Sequence, residues 1–167
     1  DDLALEAGFF LAEANLKLTP PQPKEAIAVL VKMLKARPDE PDVLTSLASV
    51  YRQQRMLDEA IAILLKLAEL NPNRRRELYL QIAELEQQRY RFDEAEKYAN
   101  QALELSPNDA QAQEKLGKLY EDRSDYERAI AAYRRALEIN DRAFKVGFAL
   151  ARLYLRIYDV QLTLGTT

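Results

Sequence analysis

The amino-acid sequence predicts an all-α chain assembled from antiparallel helix pairs, and three observations carry that prediction. Ala, Leu, Glu, Lys, Arg and Gln dominate, with only four Gly and seven Pro in 167 residues, which is the vocabulary of helices. Ala26, Ala60, Ala95 and Ala129 each sit in a similar helix-opening signature, and they are spaced by 34, 35 and 34 residues. Pro38, Pro72 and Pro107 keep the same step, each closing a leucine-rich stretch. A period of this length accommodates two helices with their turns, so neighbouring pairs are expected to stack and share a core.

Composition narrows the function classes. An apolar content of 48% can supply a core. The formal charge is −3, with 24 basic and 27 acidic residues spread through the chain. That balance disfavours nucleic acid as the main ligand, because a general phosphate-binding surface needs a basic excess. There is no Cys and no His, which removes thiolate metal sites, disulfides and the commonest acid–base catalyst at neutral pH. No apolar run approaches the roughly 18 residues of a membrane span. The start at Asp1-Asp2, without an initiator Met, reads as an excised segment, and nothing in it specifies a location.

Taken in order, the first unit spans 3–38. Its opening helix runs from Leu3 to Leu18 and carries Leu11-Ala12, and the stiff linker Thr19-Pro20-Pro21-Gln22-Pro23 separates it from the signature at Ala26. The second unit, 41–73, has Leu47-Ala48 and Tyr51 on its first helix, then Leu57, Ala60, Leu64 and Leu67 on its second. Arg74, Arg75 and Arg76 follow and read as a solvated loop. The third unit, 76–107, has Tyr79, Ile82-Ala83, Phe92, Ala95 and Ala102, with Glu86 where its neighbours place Tyr. Each helix before a proline should stop there, since the residue preceding Pro is biased out of α geometry. Asn108 and Asp109 can then cap the next helix.

The fourth unit, 110–141, is the clearest copy. Leu116, Gly117 and Tyr120 sit at helical spacing, a polar turn follows at 122–125, and Tyr126, Ala129, Tyr133 and Ala136 carry the second helix. This pattern resembles one tetratricopeptide repeat (TPR), whose L-G-x-x-Y, Y-x-x-A and small-residue positions it matches one by one. Small residues on both helices allow close backbone approach. A further first helix is expected over 142–156, entered through Asp141 as a cap, with Leu150-Ala151 and Tyr154 in register. The array thus covers 1–156. The remainder, 157–167, lacks the signature; its alternation over Val160 to Leu164 leaves open a strand, a displaced tail or a frayed terminus. Tyr51, Tyr79, Tyr120, Tyr126, Tyr133 and Tyr154 fall at core positions and are read as packing residues rather than a base-stacking platform.

The resemblance implies a right-handed superhelical solenoid in which the first helices line a concave groove. Residues sharing the exposed face of those helices are then the candidate peptide-binding set. They are Thr45, Ser49, Arg52 and Gln53; Leu80, Glu84, Gln87 and Gln88; Glu114, Lys118, Glu121 and Asp122; and Phe148, Arg152, Leu155 and Arg156. Leu80 and Phe148 are the expected apolar anchors on an otherwise polar face, graded from neutral through acidic to basic, suited to an extended peptide or a helix. The Lys and Asn clamp that some TPR domains direct at acidic chaperone tails does not assemble: the corresponding positions hold Thr45, Ser49, Gln81, Gln111 and Lys115, or Leu80, Glu84, Lys115, Lys145 and Ala149.

No P-loop, dinucleotide glycine motif, G-x-S-x-G or H-E-x-x-H is present. Adjacent acids such as Glu84 with Glu86, or Glu121 with Asp122, lack the separation across a cleft that paired carboxylate catalysis requires. The stretch 122–125 lacks the ligands and glycine of a calcium loop. The expectation is a non-catalytic interaction scaffold or adaptor with no cofactor and no metal, whose partner is another protein, with self-association left open. An RNA-binding helical repeat, suggested by length, Arg74 to Arg76 and the basic last helix, and a regulatory arm of an enzyme are the alternatives.

Overall fold

The computed structural model describes residues 2–165, with side chains described over 3–158. Every regular element among them is helical. The chain divides into two compact units, Asp1–Leu85 and Glu86–Thr167. The first contains α1 (Asp2–Lys17), α2 (Pro23–Ala36), α3 (Pro41–Gln53), α4 (Leu57–Leu70), a 3-10 turn (Pro72–Arg74) and most of α5 (Arg75–Gln88). The second contains the end of α5, α6 (Phe92–Leu105), α7 (Ala110–Asp122), α8 (Tyr126–Ile139) and α9 (Phe144–Gly165). Within each unit consecutive helices pack as antiparallel hairpins, α1 on α2 and α3 on α4 in one, α7 on α8 in the other. This is the fold class predicted, a TPR-type solenoid of helix pairs.

Repetition in the sequence is repetition in hydrogen bonding. The N–H groups of Met56, Arg91 and Asp125 donate to the carbonyls of Tyr51, Glu86 and Tyr120, at 2.9, 2.9 and 2.8 Å. The intervening residues Arg55, Tyr90 and Ser124 have φ of 60, 59 and 61°. The first helices α3, α5 and α7 therefore end in the same six-to-one closure with one left-handed residue. None of the three is Gly, so each turn carries the steric cost of a Cβ in that region, about 1 kcal/mol. The second helices end alike, with Arg37, Asn71, Ser106 and Asn140 donating to the carbonyl four residues back; proline follows the first three.

Caps and linkers refine the sequence reading. Asp109 caps α7, its Oδ1 accepting from the N–H of Gln111 at 2.9 Å and of Ala112 at 3.2 Å. In the turn before α9, Asn140 accepts from the N–H of Arg142 at 3.2 Å, an Asx turn in place of the helix cap expected of Asp141. Pro23 belongs to α2, at whose first turn its missing N–H costs nothing. The triple arginine is not a solvated loop: Arg74 ends the 3-10 turn, Arg75 and Arg76 open α5, and all three are half-buried. Arg75 Nε donates to the Ala68 carbonyl at 2.9 Å, satisfying an acceptor at the end of α4.

Ala26, Ala60, Ala95 and Ala129 are each no more than 1% exposed, so the four signature alanines occupy equivalent buried positions. In the first unit Ala12, Ala26, Leu30, Val43, Leu47 and Val50 form the core, flanked by Phe9, Met33 and Ile63. In the second the core is finer grained, with seven alanines from Ala95 to Ala136 beside Leu116, Leu119, Tyr120, Tyr133, Val146 and Leu153. Such small side chains bring α7 and α8 so close that a methyl at Gly117 would stand 2.5 Å from the Tyr133 ring. Glu86, in the position of the repeat tyrosine, is buried and ion-paired to Arg89 at 3.3 Å.

The strand considered for 160–164 does not form: the backbone of α9 is helical through Gly165. Thr166 and Thr167, also part of the expected tail, lie outside the described residues.

Candidate functional site

Two clefts collect the predicted first-helix residues, one in each unit. In the first unit Thr45, Ser49 and Arg52 of α3 line a cleft of about 220 Å³ with Arg74, Glu77 and Gln81. Its floor is Ala48, Leu64, Leu67 and Leu78. Glu77 is occupied, accepting from Gln81 Nε2 at 3.0 Å and from Arg74 at 3.4 Å. Arg52 is exposed and has no ion-pair partner among the described residues, so its guanidinium is available to an acceptor supplied from outside. Gln53 is exposed on the same helix but does not line the cleft.

In the second unit Glu114, Lys118, Glu121 and Asp122 of α7 and Arg152 of α9 line a cleft of about 190 Å³. Tyr133, Lys145, Val146 and Ala149 complete it. Glu121 organises its wall, accepting from the Tyr133 hydroxyl at 3.0 Å and from Arg152 at 3.0 Å. Burial pushes the Tyr133 phenol up, and the Glu121 carboxylate reinforces the shift, so this hydroxyl stays a donor. Gln87 donates to Asp122 at 2.6 Å, bringing one more predicted residue to the cleft edge.

The remaining predictions divide. Glu84 and Gln88 are exposed on α5. Leu80 is not an anchor, being 2% exposed. Leu78, Leu80, Ile82, Ala83 and Leu85 are all buried, so α5 is covered everywhere but along its Glu77, Gln81, Glu84 and Gln88 face, and its leucine is core. Phe148 is 77% exposed, as an anchor would be, yet it and Leu155 and Arg156 lie away from the cleft that Arg152 enters. Tyr154 is 40% exposed rather than packed, because no helix follows α9 among the described residues to cover it. Arg74, Glu77, Gln81, Tyr133 and Lys145 line clefts without having been predicted there. For Tyr133 the signal was present, since a phenol one turn from a small-residue contact can reach across it with its hydroxyl.

A separate polar network braces the α6, α7 and α8 packing. Glu96 accepts from the Tyr120 hydroxyl at 2.8 Å, from Arg123 at 3.2 Å and from Arg128 at 3.3 Å. Arg128 also lies over the Tyr120 ring, 4.8 Å from its centre. Burial, then Glu96, raises the Tyr120 phenol, and the hydrogen bond from Arg128 lowers the Asp125 carboxyl. Asp125 is thereby committed to Arg128 and to capping α8, which accounts for the acids at the 122–125 turn.

The family model for the tetratricopeptide repeat protein 21 C-terminal ARM domain matches residues 5–161. The chain belongs to this family. It is 24% identical over 155 residues to human general transcription factor 3C polypeptide 3, a match covering 90% of this chain and 17% of that protein. It is 30% identical over 151 residues to cellulose synthase operon protein C of Pseudomonas fluorescens (strain SBW25), covering 90% of this chain and 10% of the relative. The chain thus spans less than a fifth of the length of these curated relatives. Among solved structures, MamA 41-end from Desulfovibrio magneticus RS-1 superposes with a TM-score of 0.73 over 97% of this chain and 90% of that one, at 17% identity. That likeness is one of fold. The protein is a TPR-like helical repeat.

Proposed function

We propose that the chain is a non-catalytic scaffold whose first-helix clefts hold an extended peptide or a helix of a partner protein. Repeat scaffolds of this kind are generally non-catalytic, and their binding surfaces are made from side chains that the repeat itself does not need for packing. The observation that carries the reading is the grouping of Thr45, Ser49 and Arg52 in one cleft and of Glu114, Lys118, Glu121, Asp122 and Arg152 in another. Polar, shallow surfaces with mixed charge suit a polypeptide, whose backbone and side chains offer both donors and acceptors. The RNA alternative loses one of its supports, because Arg75 is engaged with the Ala68 carbonyl and Arg74 with Glu77.

Affinity capture followed by titration of the captured partner tests the proposal one cleft at a time. Arg52→Glu and Lys118→Glu are exposed changes expected to leave helicity and melting unaltered and to weaken partner binding by about tenfold or more each. Unchanged affinity in both variants would overturn it.

A further inference from the structure

The two clefts differ in charge. Between α7 and α9, the acids Glu114, Glu121 and Asp122 balance the bases Lys118, Lys145 and Arg152. The cleft between α3 and α5 is lined by Arg52 and Arg74 against the single acid Glu77, so it is locally basic in a chain whose formal charge is −3.

Internal hydrogen bonds decide which of its groups stay available. Glu77 Oε1 accepts from Gln81 at 3.0 Å and from Arg74 at 3.4 Å, so these three side chains satisfy one another on one wall. The Thr45 hydroxyl donates to the Pro41 carbonyl at 2.8 Å. That leaves the Ser49 hydroxyl and the Arg52 guanidinium, which share one face of α3 at the i, i+3 spacing. Neither side chain has a hydrogen-bond or ion-pair partner among the described residues. A guanidinium beside a hydroxyl, with the local acid already engaged, is chemistry for an anion.

Size and floor identify what carries the anion. At about 220 Å³ the cleft is smaller than the roughly 300 Å³ at which sites for free small molecules begin, and it suits one side chain. Its floor of Ala48, Leu64, Leu67 and Leu78 is buried and apolar. Such a floor packs against the methylenes of an Asp or Glu side chain, but offers no partner to the N–H and C=O groups of a chain terminus. A single uncommitted cation also falls short of the several phosphate contacts by which a nucleic acid is held.

Resting on the reading that the first-helix clefts hold a partner polypeptide, we infer that the α3–α5 cleft selects an acidic side chain of that partner. The carboxylate accepts from Arg52 and Ser49 while its methylenes lie on the apolar floor. Arg52 is thereby a specificity-determining residue, and the balanced α7–α9 cleft does not select by sign of charge.

Selection on the intact chain from a random-peptide library displayed on phage tests this, with each peptide fused at its C-terminus so that only side chains supply carboxylates. Wild type is expected to enrich peptides with Asp or Glu at one position, Arg52→Glu to enrich Lys or Arg there, and Lys118→Glu to keep the acidic preference. Circular dichroism checks helicity, and Arg52→Gln, which should lose the acidic preference without gaining a basic one, serves should Arg52→Glu not fold. For a selected peptide made with an amidated C-terminus, Glu→Gln at that position should weaken binding to wild type about tenfold and to Arg52→Gln by less than about twofold, by fluorescence anisotropy. Selected peptides that bind through Arg52 without an acidic preference would overturn this inference and leave the cleft reading standing. An acidic preference that survives both Arg52 variants, or displacement of the peptide by a mixed-sequence RNA oligonucleotide at low salt, would likewise overturn it. Peptides insensitive to both Arg52→Glu and Lys118→Glu, or no peptide retained at all, would overturn both readings.

Discussion

Helices α7 and α9 are built to the same register and end up with opposite surfaces. On α7 the small residue Gly117 and Tyr120 are buried against its hairpin partner α8. Their counterparts on α9, Ala151 and Tyr154, are exposed. Positions facing the preceding hairpin behave identically, since Ala112 and Leu119 are buried on α7 and Val146 and Leu153 on α9. The difference shows that a first helix has one face assigned by the hairpin before it and a second assigned only when a second helix folds back upon it.

That comparison is broken most severely by adding bulk at equivalent positions. Gly117→Leu forces a side chain into the Tyr133 ring and should destabilise the protein by about 3 kcal/mol, whereas Ala151→Leu should change stability by less than about 0.5 kcal/mol. Chemical denaturation of the two variants measures both. A smaller effect sharpens the same contrast. Tyr120→Phe removes the hydroxyl that Glu96 accepts from and should cost about 1 kcal/mol, while Tyr154→Phe should be close to neutral. Equal losses for the two tyrosines would mean that α9 has a partner that the monomer does not supply.

Most of the helical framework was legible in the sequence because it follows from local chemistry. The four phased alanines marked the buried contacts of the second helices, the prolines marked their ends, and Asp109 marked a cap. The left-handed residues Arg55, Tyr90 and Ser124 escaped notice, since the usual glycine is absent from all three turns. What depends on neighbours was read less well. Leu80 looked like an exposed anchor on a polar face, but it sits beside that face of α5 and is buried with Leu78, Ile82 and Leu85. Arg75 looked like loop, but its target, the Ala68 carbonyl, is seven residues away and becomes reachable only across the bend between α4 and α5. Of the candidate site, Thr45, Ser49 and Arg52 line one cleft and the α7 quartet another, because one helix carries each group. Phe148 and Leu155 neighbour Arg152 on α9 but do not line its cleft, whose α9 residues are Lys145, Val146, Ala149 and Arg152.

Amide hydrogen exchange, measured at a dilution where the chain is monomeric, tests most directly whether the hairpin partner is what closes a first helix. Amides of Leu116 to Tyr120 are expected to exchange at least about tenfold more slowly than those of Leu150 to Tyr154, since α7 opens only with its hairpin and α9 can detach from α8 alone. Equal protection of the two segments, or greater protection on α9, would contradict the account.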